Sequence, residues 1–158
     1  MNMMAEPINE YMKTLMCEVP EFDQLDGDEI DLLSRHIFHR HVPAGTTLCK
    51  EGSVGDSLYY VINGRIEIRK ESVDGRQAVL ARFGKGSSVG EMSLVEDSPR
   101  SATATAIEDV EILILTRNGF ETLITTHPQI GVKILRNIAK SLSKRLRFTS
   151  GRFADVFK

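Results

Sequence analysis

The chain has no tryptophan, and aromatic residues make up only 6% of it, too few for a platform on which single-stranded bases could stack. It has two cysteines, Cys17 and Cys49. Neither lies in a C-x-x-C, and a secreted scaffold stapled by disulfides needs more, so both read as free thiols in a reducing cytoplasm. An excess of charge is also missing. The net charge is −2, which gives no general attraction to nucleic acid. No apolar run approaches the ~20 residues needed to cross a bilayer; the longest, residues 110–115, is interrupted by Glu111. Glu6 and Glu10 precede the first lysine, Lys13, so the start does not read as a signal peptide. No hydrolytic constellation stands out: there is no H-E-x-x-H, and no paired Cys and His suggests a nucleophile. The expectation is that the chain is not an enzyme.

What is present points to one domain with short helical extensions. Ile8, Tyr11, Met12, Leu15 and Met16 recur at helical spacing and predict a helix over 4–17, stopped by Pro20. Asp26 or Asp28 caps a second helix carrying Ile30, Leu32, Leu33 and Ile37. Beyond residue 37 glycines arrive every few residues as far as Gly90, and short runs with β-branched and aromatic residues lie at 46–49, 57–62, 65–70, 78–83, 103–107 and 110–115. Many short strands with turn signals mean an all-β sandwich or barrel. Ile66 and Ile68 alternate with Glu67 and Arg69, giving that strand one wet face. Asn63-Gly64 reads as a tight hairpin. The helical period returns after residue 116, with Asn118 as a cap and Phe120, Leu123 and Ile124 facing inward. A last helix from Pro128 to about residue 148 carries an apolar arc from Ile130 to Leu146, into which Arg145 intrudes. The basic region after Lys140, with Phe148, Phe153 and Phe157, reads as a solvated helix face and frayed tail. His36, His39 and His41 straddle a helix–strand junction, and only His39 and His41 share a strand face. With no acid or cysteine near them in the sequence they read as surface histidines, and no metal is expected. His127 reads as a loop residue.

The richest segment is Gly90-Glu91-Met92-Ser93-Leu94 followed by Ser98-Pro99-Arg100-Ser101-Ala102. It sets a carboxylate and a guanidinium nine positions apart among small and turn-forming residues. Arg100 offers a planar fork of donors that matches phosphate oxygens. Gly90, without a Cβ, lets backbone approach a ligand. A helical turn over 91–95 would aim N–H groups at an anion, and Glu91 can accept from a neighbouring hydroxyl. The bland alternative is that Glu91 and Arg100 are an ion pair bracing a loop.

This pattern resembles the phosphate-binding cassette of cyclic nucleotide-binding domains, the family of the bacterial catabolite activator, the protein kinase A regulatory subunit and cyclic-nucleotide-gated channels. Val42-Pro43-Ala44-Gly45, Glu51-Gly52, Gly55-Asp56-Ser57-Leu58-Tyr59, Asn63-Gly64 and Phe83-Gly84-x-Gly86 follow the same family order. The resemblance covers residues 18–148, leaving an N-terminal helical extension (1–17) and a tail (149–158). It implies a mainly-β, double-sheet jelly roll with N-terminal helices and a C-terminal lid helix. It further implies a cytoplasmic sensor of a cyclic nucleotide, cAMP favoured over cGMP, with no cofactor. Gly90, Glu91, Met92, Ser93, Arg100, Ser101 and Ala102 would hold ribose and phosphate. Val79, Ala81 and Val89 would meet the purine, and Leu142 and Arg145 would close over it. Ser101 is a hydroxyl that can favour cGMP, but Thr would be the stronger signal for that base. A reading head for DNA needs two or more helices, which the residues after 148 do not provide. Any output would pass to a protein effector through the terminal helices. The competing reading is a ligand-independent interaction module on the same scaffold.

Overall fold

The computed structural model describes residues 5–156, with side chains for residues 10–152, 154 and 155. The expected roles of the Ile8, Phe153 and Phe157 side chains lie outside the described residues. The strands are β1 (Ile37–Val42), β2 (Thr47–Cys49), β3 (Ser57–Asn63), β4 (Ile66–Glu71), β5 (Gln77–Phe83), β6 (Ser88–Val89), β7 (Thr103–Ala106) and β8 (Val110–Thr116). They form two antiparallel sheets in the orders β1-β8-β3-β6 and β2-β7-β4-β5. Helices α1 (Ala5–Met16), α2 (Gly27–Ser34), α3 (Met92–Val95), α4 (Arg117–Thr126) and α5 (Pro128–Val156) complete the chain. The result is the expected double-sheet jelly roll with flanking helices.

Period-two alternation explains why β3 and β8 read as nearly continuous apolar runs. Tyr59, Val61, Val110 and Ile112 point between the sheets, where they meet Ile66, Val89, Ala104 and Ala106. Leu58, Tyr60, Ile62, Leu113 and Leu115 point the other way, into a second core. There they meet Met12 and Leu15 of α1, Leu33 of α2, Phe120 and Leu123 of α4, and Ile130, Ile134 and Ile138 of α5. One sheet is therefore apolar on both faces, and the last helix rests on the far side of it from the second sheet.

Several expectations need correcting. Ile37 opens β1 instead of continuing α2, whose N-cap is Asp26 in a reciprocal capping box with Glu29. Thr116, not Asn118, caps α4, its hydroxyl accepting from Gly119 N–H at 3.0 Å. Asn63-Gly64 is no hairpin, because β3 and β4 belong to different sheets and the turn carries the chain across. Gly64 has φ +86°, and a Cβ there would collide with the Asp109 carbonyl. Glu67 is not on a wet face in the usual sense; its buried carboxylate is sandwiched by Arg69 and Arg82. Finally, α5 runs on to Val156, eight residues beyond the expected stop.

Candidate functional site

The cassette is built where β6 hands over to α3. Gly90 has φ +92°, a left-handed conformation that favours glycine, and a Cβ on it would strike the Arg100 guanidinium and the Ser57 carbonyl. That close approach seats Arg100 deep in the fold, with its Nη2 donating to Ser57 O at 2.9 Å. Its Nε and Nη1 are buried and have no hydrogen-bond partner among the described residues. The guanidinium lies 5.4 Å from the centroid of the Tyr59 ring, which stabilises a cation without neutralising it. A buried charge left with open donors is costly unless a ligand completes it. Gly55 makes the same room from the other side: a Cβ there would run into Ser93 Oγ and lie 3.3 Å from Arg100 Nε.

The loop bearing Arg100 is stitched to the β2–β3 connection. Arg100 N–H donates to Ser53 O and Gly52 N–H to Arg100 O, both at 2.8 Å. Lys70 Nζ reaches the Ser101 carbonyl at 2.7 Å. Arg117, at the start of α4, is a brace that no local motif marks. Its guanidinium donates to the carbonyls of Ser93 (2.7 Å), Gly55 (2.9 Å) and Glu96 (2.9 Å) and pairs with Asp97. One side chain thus ties α3, the Gly55 turn and the cassette loop together. Only tertiary contact reveals this, because nothing in the local sequence marks Arg117.

Glu91 is buried and does not brace Arg100. Its Oε1 accepts from Ser88 Oγ at 2.7 Å, and its carboxylate pairs with Arg145 of α5 at 2.8 and 3.0 Å. Arg145 also donates to Ser88 O and stacks 4.6 Å from the centroid of Phe83. Behind Glu91, Ser88 Oγ also lies 2.7 Å from Glu21 Oε1. Burial raises the Glu21 carboxyl above its usual range, the Glu91 charge adds to this, and the Ser88 hydrogen bond and Arg145 oppose it. Two carboxyl groups and one guanidinium therefore share the seam between cassette and last helix.

Glu91 and Arg145, together with Arg100, line a cleft of about 250 Å³. Gly90, Glu91, Met92, Ser93, Arg100, Ser101 and Ala102 all border it, as do Ala81, Val89 and Arg145. Two expected residues are elsewhere. Val79 is on the exposed edge strand β5 and does not border the cleft, and Leu142 packs against the helical core. Ile68, Leu80 and Phe83 supply apolar wall that the sequence reading missed. Cys49 borders the cleft as well, and burial pushes its thiol pKa up. Of the α3 turn, Ser93 and Leu94 spend their N–H groups on Gly90 O and Glu91 O, so fewer backbone donors face the cleft than a helical turn over 91–95 suggests.

The sequence profile of the cyclic nucleotide-binding domain matches residues 39–127. The chain belongs to that family. The cyclic AMP receptor protein of Thermus thermophilus is 35% identical over 128 residues, 81% of this chain and 57% of its own length. A CRP-like cAMP-activated global transcriptional regulator of Mycobacterium tuberculosis is 30% identical over 145 residues, 92% of this chain and 63% of its own. This chain therefore spans about three-fifths of these curated relatives. The crystal structure of the Thermus thermophilus catabolite activator protein superposes with a TM-score of 0.74 at 33% identity, covering 87% of this chain and 62% of that one. A cyclic nucleotide-binding domain from Methylobacillus flagellatus shares the fold, with a TM-score of 0.82 at 24% identity over 96% of this chain and 85% of that one. The chain is thus a regulatory cyclic nucleotide-binding domain of the type found in CRP-like proteins, and among its described residues no helix is long and apolar enough to cross a membrane.

Proposed function

We propose that this cleft binds cAMP in preference to cGMP and that binding re-seats α5 as a lid. The observation that carries the reading is the buried Arg100 guanidinium, which borders the cleft and has two donor nitrogens without a hydrogen-bond partner among the described residues. A cyclic phosphodiester brings one negative charge and two free oxygens, which suits those donors. The ribose 2′-hydroxyl then falls to Glu91, and the purine to the apolar wall formed by Ile68, Ala81, Phe83 and Val89. The cAMP named for both curated relatives favours adenine, and Ser101 is a weaker signal for guanine than a threonine there would be.

Arg145 gives the lid its mechanism. Without ligand it holds the carboxylate that the ribose needs, and it is already stacked on an aromatic ring. A ribose hydroxyl on Glu91 competes with it, and the released guanidinium exchanges the Phe83 face for the purine face. Ligand thereby changes which contacts α5 makes, the differential interaction needed to shift its equilibrium. Leu146 and Phe148 lie exposed further along α5 and would pass that shift to a protein effector.

Calorimetric titration of the full chain with cAMP and cGMP tests the proposal. The expected result is cAMP binding at micromolar Kd or tighter, about −8 kcal/mol. Heat from neither nucleotide would return the domain to a ligand-independent interaction module. A cGMP affinity about tenfold above that of cAMP, ~1.4 kcal/mol, would reverse the base preference.

A further inference from the structure

The other end of the first sheet holds a second constellation. His39 and His41 project from one face of β1, and Glu111 of β8 sits directly opposite His41 in the antiparallel register. The sequence shows no acid near these histidines because Glu111 is brought in from seventy residues away by strand pairing. Glu111 Oε2 lies 3.0 Å from His39 Nε2 and 3.3 Å from His41 Nε2. One ligand atom from each residue can be chosen so that all three lie within 4.8 Å of one another.

From these positions we infer a binding site for a divalent transition-metal ion of the zinc class, held by His39, His41 and Glu111. Bonds of about 2.0–2.1 Å to nitrogen and oxygen in a tetrahedron place neighbouring ligand atoms about 3.3 Å apart; both histidine–carboxylate spacings are already there, and a ligand nitrogen of each imidazole lies within 4.8 Å of the other. Two imidazoles and one carboxylate suit Zn²⁺, and also Cu²⁺ or Ni²⁺, over Mg²⁺ or Ca²⁺. The carboxylate is oriented from behind: Tyr11 OH donates to Oε2 at 3.2 Å and Asn63 Nδ2 to Oε1 at 3.4 Å. The Tyr11 ring packs edge-on against His39, and His39 edge-on against His41. Such outer partners fix ligand orientation in metal sites. Glu111 is buried while His41 is largely exposed and borders a surface cleft with Asn63, Asp109 and Glu111. Three protein ligands and an accessible fourth position for water result. A bound ion would join β1 to β8 and, through Tyr11, to α1, at the opposite edge of the sheet from the cassette.

The test is a Zn²⁺ titration of the full chain against a chromophoric chelator, with Co²⁺ substitution to read coordination from its visible spectrum. Wild type is expected to take one ion per chain and to melt at a higher temperature with it, and Co²⁺ to give a four-coordinate spectrum. His41→Ala, at an exposed position that leaves folding intact, and Glu111→Gln should each weaken binding by about 100-fold or more, and Tyr11→Phe by about tenfold. His36→Ala should change nothing. Uptake by wild type no tighter than by His41→Ala, or uptake that survives His41→Ala and disappears with Cys17→Ser, overturns the site. Cyclic nucleotide affinity of His41→Ala should equal that of wild type, which keeps this test separate from the fate of the cleft.

Discussion

At the scale of single residues the cleft depends on a few groups placed where ordinary stability would not put them. Arg100 is the clearest. It is buried, cation–π stacked and short of partners, so its truncation removes the counter-charge of a bound phosphate. Arg100→Ala should cost about 2–5 kcal/mol of cyclic nucleotide affinity, and Arg100→Lys should recover only part of it, because a point charge cannot reproduce the planar fork. Titration calorimetry of the pair checks this. Gly90→Ala should act on the same group indirectly, through a left-handed backbone costing about 1–3 kcal/mol and a Cβ pressed into the guanidinium. Glu21 offers a pH test. Its folded-state carboxyl is raised above its usual 4.5, first by burial and then by the Glu91 charge. A raised folded value means the native state binds the proton more tightly than the unfolded chain does. The favourable contribution is therefore complete below the usual carboxylate range and is lost as pH rises through the folded value. Glu21→Gln keeps the group neutral throughout. In ligand-free protein its melting temperature should exceed that of wild type near neutral pH, and the gap should close as the pH falls toward about 4.

Secondary-structure elements differ in how much they announced themselves. The cassette was legible because its residues are contiguous and each has a local reason; β2 to β5 were legible because glycines bound their runs, and β7 and β8 because of their β-branched residues. β1 was hidden since Ile37-Phe38-His39-Arg40-His41-Val42 has only one apolar residue on its helix-facing side, which follows straight on from the apolar stripe of α2. β6 has two residues, too few to show a period. The turn at Asn63-Gly64 was visible, but not the sheet to which its second strand belongs. Arg117, Phe83 and the Glu111 cluster escaped for one reason: their partners come from strands and helices distant in sequence. The last helix was recognised but misassigned in detail, and the correction separates two substitutions. Leu142 packs on the helical core, so Leu142→Ala should lower stability by about 1 kcal/mol or more with little change in affinity. Arg145 faces the cleft, so Arg145→Ala should weaken cAMP binding by about 0.5–2 kcal/mol. It should also abolish the ligand-induced slowing of amide exchange over residues 135–148. Exchange mass spectrometry with and without cAMP distinguishes them. Slowing confined to 89–103 in wild type would make the helix a static brace.

Taken whole, the molecule has two cores back to back on one sheet, and α5 belongs to the one that the ligand does not touch. The cleft borders the core between the sheets, while Ile130, Ile134 and Ile138 fix the first half of α5 to the helical core on the other side. Arg145 is where the two meet. Beyond it the described side chains of α5 are mostly open to solvent: Leu146 and Phe148 are about two-thirds exposed, and every other described side chain to Asp155 is exposed as well. A helix in water with no packed face is marginal, since most helical stability in proteins comes from tertiary burial. Local opening free energy should therefore fall along α5, from near the global value at Ile134 to near zero past Phe148. In dilute protein, amides 149–156 should exchange fastest of any helical segment other than the one-turn α3, while 130–138 exchange only on global unfolding. Truncation after Phe148 should then leave the melting temperature and cAMP affinity unchanged. Slow exchange over 149–156 that speeds up on dilution would contradict this picture of an unsupported segment, because it would mean that Leu146 and Phe148 are covered by another molecule. The same dilution series would then report that association, and α5 would be anchored at both ends with Arg145 as its one movable contact between them.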